Sequence, residues 1–395
     1  MIYLCSMVFR DSCNKAIAMA KKFPIVVLTG PRQAGKSTLA KMSFPDYRYV
    51  SLENPQNREF AQNDPQGFFA VYDKHVIIDE AQNVPALFSY IQQIVDDANM
   101  PGQFILSGSH NFLLLEKIAQ TLAGRVYFME LLPFSHNEIQ QIKPLRLEDE
   151  MYCGAYPRLH AMDIDPTDFY PGYIKSYVER DVRSILNVQD LRLFRKFILL
   201  LAHQAGNLFN AAQISKKLGV DGKTVARWMS ILETSYIAFT LEPWYNNLPK
   251  RVVKTPKLYF YDTGLLCNLL GIRSADSILT STYKGAIFEN YIILELMKTH
   301  TSRGEKWNYY FWRDSNKNEI DLLLEAGKQL RCIEIKASLT VKPEHLKSVH
   351  VLDPFISSFE TKHYIINFFN ETQPRSKETI LSWQDLEKIG GAHSV

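Results

Sequence analysis

The sequence predicts an α/β protein: a parallel sheet with a glycine-rich loop, a helical stretch, a helix-turn-helix with a wing, and a second α/β region. Three observations carry this. Gly30-Pro31-Arg32-Gln33-Ala34-Gly35-Lys36-Ser37 lies between an apolar, β-branched run and a helix-compatible one. Apolar residues recur at helical spacing between Phe194 and Leu232. Two strand-like runs flank a glycine turn between Glu319 and Lys336. At 395 residues the chain exceeds one ordinary core, so two or three domains are expected.

Composition narrows the function classes. Hydrophobic residues make up 46% and charged residues 22%, a soluble globular profile. The net charge is only +3, so a nucleic-acid footprint has to be a local patch. The five cysteines are scattered without a C-x-x-C pair. That speaks against a zinc ribbon or a disulfide framework and points to a reducing cytoplasm. The apolar start, residues 1–9, is short and lacks a basic lead, so it reads as the approach to a helix and not as a signal peptide. No apolar run reaches membrane-spanning length, and no membrane partner is expected.

In chain order, residues 11–22 have helical character and lead into the strand Ile25-Val26-Val27-Leu28-Thr29. The loop after it matches G-x-x-x-x-G-K-[ST], the phosphate-binding P-loop. Its glycines let several backbone N–H groups turn toward one anion, and the helix N-terminus adds positive partial charge. Lys36 is expected on the β/γ-phosphates and the Ser37 hydroxyl on Mg²⁺. With Thr38 following, the ATP-binding set is Gly30, Pro31, Arg32, Gln33, Ala34, Gly35, Lys36, Ser37 and Thr38. A second strand is expected at residues 47–51 and a third at 75–78, the latter ending in Asp79-Glu80. In P-loop ATPases such a strand lies beside the P-loop strand and its aspartate holds Mg²⁺, which points to Asp79. Glu80 is placed to act as the general base on water. A fourth strand runs through residues 103–106 into Ser107-Gly108-Ser109, and a fifth through 126–130 after Leu122-Ala123-Gly124-Arg125.

The order of these parts resembles AAA+ ATPases. More narrowly it resembles the bacterial and archaeal family that joins such a core to a C-terminal domain of unknown function. Ile78-Asp79-Glu80-Ala81-Gln82, Leu132-Pro133-Phe134-Ser135, Tyr152-Cys153-Gly154-Ala155-Tyr156-Pro157 and Tyr177-Val178-Glu179-Arg180-Asp181 carry the likeness along with the P-loop. The stretch at Ala155 departs slightly from the glycine common there in this family. The resemblance implies a catalytic set of Glu80, Ser107 or Ser109, and Arg125. The two serines compete for contact with the γ-phosphate or water. Arg125 acts on the transition-state charge in cis or across a subunit interface, or is a solvated surface arginine.

Residues 170–185 are expected to be helices of the lid, and 194–205 an apolar helix. Residues 211–218, a glycine-containing turn and residues 223–232 make a helix-turn-helix. Val225, Trp228, Met229 and Leu232 share its core face, while Lys223, Thr224 and Arg227 head the second helix. Residues 237–253 are expected to be the two strands of the wing. Residues 171–260 hold fourteen Lys and Arg against six Asp and Glu, a local excess that favours DNA as partner over a packing role.

In the last third, Glu289 lies on an apolar helix, Asp321 on one strand, and Glu334 and Lys336 on the strand returning from the Gly327 turn. Alternation puts Glu334 and Lys336 on one face, which Asp321 can approach. This set resembles the PD-(D/E)xK nuclease core, without a proline before the aspartate. The resemblance implies Mg²⁺ held by Asp321, Glu334 and Glu289, with Lys336 orienting water. The expected division is an AAA+ core at 1–135, a helical lid or linker at 136–190, a winged helix at 191–265 and a nuclease-like domain at 266–395. The function this implies is Mg²⁺-dependent ATP hydrolysis coupled to nucleic-acid binding, with cleavage by the last domain. The competing reading is a nucleotide-switched DNA-binding or protein-remodelling regulator whose last domain is an inactive scaffold. Expected partners are DNA, a protein in the remodelling reading, and further copies of the chain where Arg125 acts in trans.

Overall fold

The computed structural model describes residues 8–108, 121–178, 191–245 and 253–389. These form two compact units. The first holds residues up to Phe134, Tyr156–Ala161 and Thr301–Gly304; the second holds Ser135–Ala155, Met162–His300 and the residues from Glu305 onward.

The first unit is a five-stranded parallel sheet: β1 (Ile25–Thr29), β2 (Arg48–Ser51), β3 (Val76–Asp79), β4 (Phe104–Ser107) and β5 (Val126–Glu130). β1, β3 and β4 are buried along their whole length, which is why each reads as an unbroken apolar run. Helices Ser12–Ala20 and Lys36–Ser43 cover one face through Cys13, Ala16, Leu39 and Ala40. The other face packs Phe68, Phe88, Ile91 and Val95 against Val27, Ile78 and Leu106. The strand order is β2-β3-β4-β1-β5. This corrects the expectation that the Asp79 strand lies beside the P-loop strand, because β4 is inserted between them. All five strands are parallel and end at the same edge, so the loops after β1 and β3 still meet there.

The second unit is built on an eight-stranded sheet in the order β12-β13-β11-β10-β9-β8-β6-β7. Its strands are β6 (Ala238–Pro243), β7 (Lys257–Phe260), β8 (Asn308–Arg313), β9 (Glu319–Ala326), β10 (Gln329–Lys336), β11 (Glu360–Asn367), β12 (Gln373–Pro374) and β13 (Thr379–Ser382). β9 and β10 form the expected hairpin through Gly327, whose φ of 61° suits a residue without Cβ. Helices Ala211–Leu218 and Gly222–Thr234 form the expected pair. Gly219 ends the first in the left-handed region, and the Asp221 carboxylate caps the second by accepting from the Thr224 N–H at 2.7 Å. Val225, Trp228, Met229, Ile231 and Leu232 are buried, and Trp228 meets Phe194 of the helix Leu191–Ala202 edge-on at 5.6 Å. The wing differs from expectation. β6 pairs antiparallel with β7 and parallel with β8, so the hairpin is the end of the large sheet; residues 246–252 lie outside the described set. No helix among the described residues is long and apolar enough to cross a membrane.

Candidate functional site

The P-loop geometry follows from its residue types. Gly30 has φ 132°, and a Cβ there would come within 2.1 Å of the Leu131 carbonyl oxygen. Gln33 and Gly35 also have positive φ, and Gly35 immediately precedes the helix Lys36–Ser43. The Lys36 ammonium donates to the carbonyls of Gly30 at 3.0 Å and Pro31 at 2.7 Å, curling back over the loop. Burial pulls its pKa down to about 8, against the opposing pull of Glu80 and Asp79. A buried cation satisfied by neutral carbonyls is matched to an anion.

Ser37 Oγ donates to Asp79 Oδ2 at 2.8 Å, Tyr49 OH donates to the same oxygen at 2.7 Å, and Ser107 Oγ donates to Asp79 Oδ1. Hydroxyl and carboxylate oxygens converging at one point are the hard donor set that Mg²⁺ takes, so Ser37 and Asp79 fit it. Glu80 follows at φ 55° and accepts from the Gln82 side chain. Of the two serine candidates, Ser107 joins this group and Ser109 lies outside the described residues. Thr38 is exposed on the first helical turn.

Arg125 does not join the group. Its backbone carbonyl accepts from the Ile25 N–H, at the N-terminal end of β1, whereas the P-loop follows the C-terminal end. Five residues of strand, about 3.3 Å each, lie between them. Its guanidinium is held by both Asp96 oxygens and by the Ala123 carbonyl. Strand geometry therefore corrects the expected cis contact of Arg125 with phosphate.

Two residues of this region escaped the sequence reading. Arg10 is 6% exposed and donates to the carbonyls of Ala34 at 2.9 Å and Leu132 at 2.8 Å, tying the P-loop to the segment after β5. Tyr49 gave no signal beyond its strand, since only the fold brings its hydroxyl to Asp79.

In the second unit, β9 and β10 bring Asp321, Glu334 and Lys336 together. The Lys336 ammonium lies 2.9 Å from Asp321 Oδ2 and 2.7 Å from Glu334 Oε1. Asp321 Oδ2 also accepts from the Ile335 N–H at 2.8 Å, and Ser348 Oγ donates to Glu334 Oε1 at 2.9 Å. Burial acts to raise the Asp321 pKa, but Lys336, Lys257 and the Ile335 N–H outweigh it and hold this carboxyl below its usual value. Burial and then Asp321 push Glu334 up to about 7, against Lys336. Burial works against the Lys336 charge, yet the two carboxylates hold its pKa above the ordinary lysine value.

Glu289 bonds to Lys257 Nζ at 3.0 Å and accepts from Tyr259 OH. Its pKa is raised by burial, against the pull of Lys257 and with a further push from Asp321. Lys257, 2% exposed, also pairs with Glu319. Lys257 and Tyr259 were missed; their signal was a lone lysine and a tyrosine two apart in the apolar strand Lys257-Leu258-Tyr259-Phe260. Glu334 Oε2 is buried and lacks a hydrogen-bond partner. A carboxylate oxygen without a hydrogen-bond partner, in a residue paired with Lys336 alongside Asp321, fits a divalent cation.

Lys223 and Arg227 are both exposed on the helix Gly222–Thr234.

Known protein families match the chain in three stretches. Residues 22–140 match the AAA domain family, residues 145–276 a domain of unknown function (DUF8612), and residues 284–386 another domain of unknown function (DUF4143). The chain is 31% identical over 335 residues to the uncharacterized protein Rv2008c of Mycobacterium tuberculosis, covering 84% of this chain and 74% of that one. It is 25% identical over 308 residues to an uncharacterized protein of Haemophilus influenzae, covering 69% and 74%. Among solved structures it is similar to the Walker-type ATPase PABY2304 of Pyrococcus abyssi, at 15% identity and a TM-score of 0.46, over 66% of this chain and 95% of that one. The 31% identity to the mycobacterial protein over most of both chains settles kinship: the chain belongs to the same family as that protein, and its N-terminal part is an AAA domain of P-loop type.

Proposed function

We propose that the chain is a Mg²⁺-dependent ATPase whose nucleotide sits on the P-loop of the first unit. The observation that carries this reading is the buried Lys36 ammonium on the Gly30 and Pro31 carbonyls, beside the Ser37–Asp79 hydrogen bond. Lys36 exchanges its carbonyl partners for β/γ-phosphate oxygens, and the loop and helix N–H groups cradle the phosphates. Ser37 and Asp79 hold Mg²⁺, which when bound offsets the charge developing on the phosphates. Ser107 and Tyr49 keep the Asp79 carboxylate oriented. Glu80 takes the proton from the attacking water. Arg125 is left for a role across a subunit interface. The test is Glu80→Gln: nucleotide binding is retained, and turnover falls by roughly 10²–10⁴-fold. Equal turnover of variant and wild type would remove Glu80 as the base.

The second unit supports a further part of the reading: DNA binding by the helix pair, with metal-dependent phosphodiester cleavage at the acid cluster. The unpartnered Glu334 Oε2 supports the metal, and the Lys336 ammonium on both Asp321 and Glu334 supports an oriented water. An ion pair with no cleavage is the alternative, since Lys336 already offsets both carboxylates. For DNA, exposed Lys223 and Arg227 meet phosphates. Affinity for duplex DNA then falls steeply with salt, and Lys223→Glu with Arg227→Glu lowers the log–log slope by roughly 0.9 per lost contact. Binding that ignores both salt and these substitutions would make the helix pair a packing element.

A further inference from the structure

We propose that His350, Asp353 and His363 form a site for a transition-metal ion of the Zn²⁺ class, separate in its ligands from the P-loop and the acid cluster. His350 lies in the turn after the helix Pro343–Ser348, Asp353 opens the short 3₁₀ turn Asp353–Phe355, and His363 is on β11. One ligand atom from each lies within 4.8 Å of the others. Asp353 bridges the two imidazoles, with Oδ2 2.8 Å from His350 Nδ1 and Oδ1 2.7 Å from His363 Nε2. The two rings lie 4.1 Å apart between centroids, an arrangement that two protonated imidazoles would oppose.

A fourth group fixes which nitrogen ligates. Glu378, in the turn before β13, places Oε2 3.2 Å from His350 Nε2. When His350 Nδ1 binds metal, its remaining proton sits on Nε2 and is donated to Glu378. A carboxylate behind a ligating imidazole is the arrangement that orients such ligands. His363 ligates through Nε2, and its ring proton moves to Nδ1. The metal thus takes the place of the protons now shared with Asp353. Two imidazoles and one carboxylate suit Zn²⁺ better than Mg²⁺, which prefers an all-oxygen shell. Tetrahedral zinc–ligand bonds of about 2.0–2.2 Å place ligand atoms about 3.3 Å apart, so the longest separation closes while the Asp353–imidazole contacts open slightly. Asp353 is the most exposed of the three ligands. Three protein ligands leave a fourth position for water or a partner's side chain.

The experiment is Zn²⁺ titration of the full chain in excess Mg²⁺, with Co²⁺ as a spectroscopic probe. The expected result is about one tight Zn²⁺ per chain and a tetrahedral Co²⁺ absorption band. His350→Gln and His363→Gln should each abolish both, and Glu378→Gln should weaken Zn²⁺ roughly 10–100-fold. Circular dichroism checks that the variants fold. If His363→Gln, on a buried strand, does not, the partly exposed His350→Gln decides alone. Wild type without tight Zn²⁺ overturns the proposal. So does uptake that survives His350→Gln but is lost with Glu334→Gln, which would assign the ion to the acid cluster.

Discussion

Lys36→Met should abolish ATP turnover, by at least roughly 10²–10³-fold, without lowering the stability of the nucleotide-free protein. The two effects separate because this lysine is held at a cost. The residue is 7% exposed, and burial brings its pKa from 10.5 to about 8. At about 1.36 kcal/mol per pKa unit the buried charge costs on the order of 3 kcal/mol at neutral pH, offset by the hydrogen bonds to Gly30 and Pro31. Methionine keeps the stem and removes the charge. The sign with pH follows from linkage. The folded-state pKa lies below the unfolded one, so the unfolded chain binds more protons between pH 8 and 10.5. Wild-type stability therefore rises with pH across that window, and Lys36→Met lacks this rise. Thermal melts at pH 7, 8, 9 and 10 alongside turnover check both halves. A variant that loses activity because it unfolds at neutral pH would contradict the assignment of a strained, phosphate-seeking cation.

Asp321→Ala should be the most damaging single change in the second unit, destabilising it by about 3–5 kcal/mol. It leaves buried Lys257 and half-buried Lys336 each short of one negative neighbour and orphans the Ile335 N–H. Because the folded-state pKa of Asp321 is depressed, its contribution is present above the unfolded carboxylate pKa and is lost as pH falls through the folded value. The destabilisation relative to wild type should accordingly shrink in acid. In the cleavage reading the same substitution ends Mn²⁺- or Mg²⁺-dependent nicking of plasmid DNA. Metal affinity in the wild type should increase between pH 6 and 8, as Glu334 gives up its proton near pH 7. Denaturant unfolding, plasmid nicking and Mn²⁺ titration read these separately. Wild type and Asp321→Ala equally inert across metals and substrates would leave the cluster as an ion pair alone.

What could be read from the sequence was chemistry with local spacing. The P-loop demands particular backbone angles at Gly30 and Gly35 and a lysine one residue later, so its signature is contiguous. The β9–β10 hairpin was equally legible, because strand alternation and the Gly327 turn decide which side chains share a face. Contacts between distant segments were not. Arg10 reaches Leu132 across 122 positions, and Tyr49 meets Asp79 only once β2 and β3 pair. Lys257 carries no motif; its meaning lies in Glu289 and Glu319, each on another element. The insertion of β4 between β1 and β3 left no mark in the sequence, since all three are apolar runs ending in one polar residue. The choice among the readings of Arg125 was hidden for the same reason. Its distance from the loop depends on β5 running parallel to β1.

The continuity of β6 with the large sheet bears on how this chain can be divided in the laboratory. A fragment cut after residue 265 would carry the helix pair, β6 and β7 but leave β6 without β8 along one edge. It would also strip Lys257 of both glutamates and leave an ammonium buried with nothing to answer it. Such a fragment should aggregate through the open strand edge or stay unfolded. Limited proteolysis should, by the same logic, find no stable product ending between β7 and β8. The piece that survives on its own should run unbroken through β6, β7 and the C-terminal strands, so the helix pair and the acid cluster will have to be purified, and inherited, together.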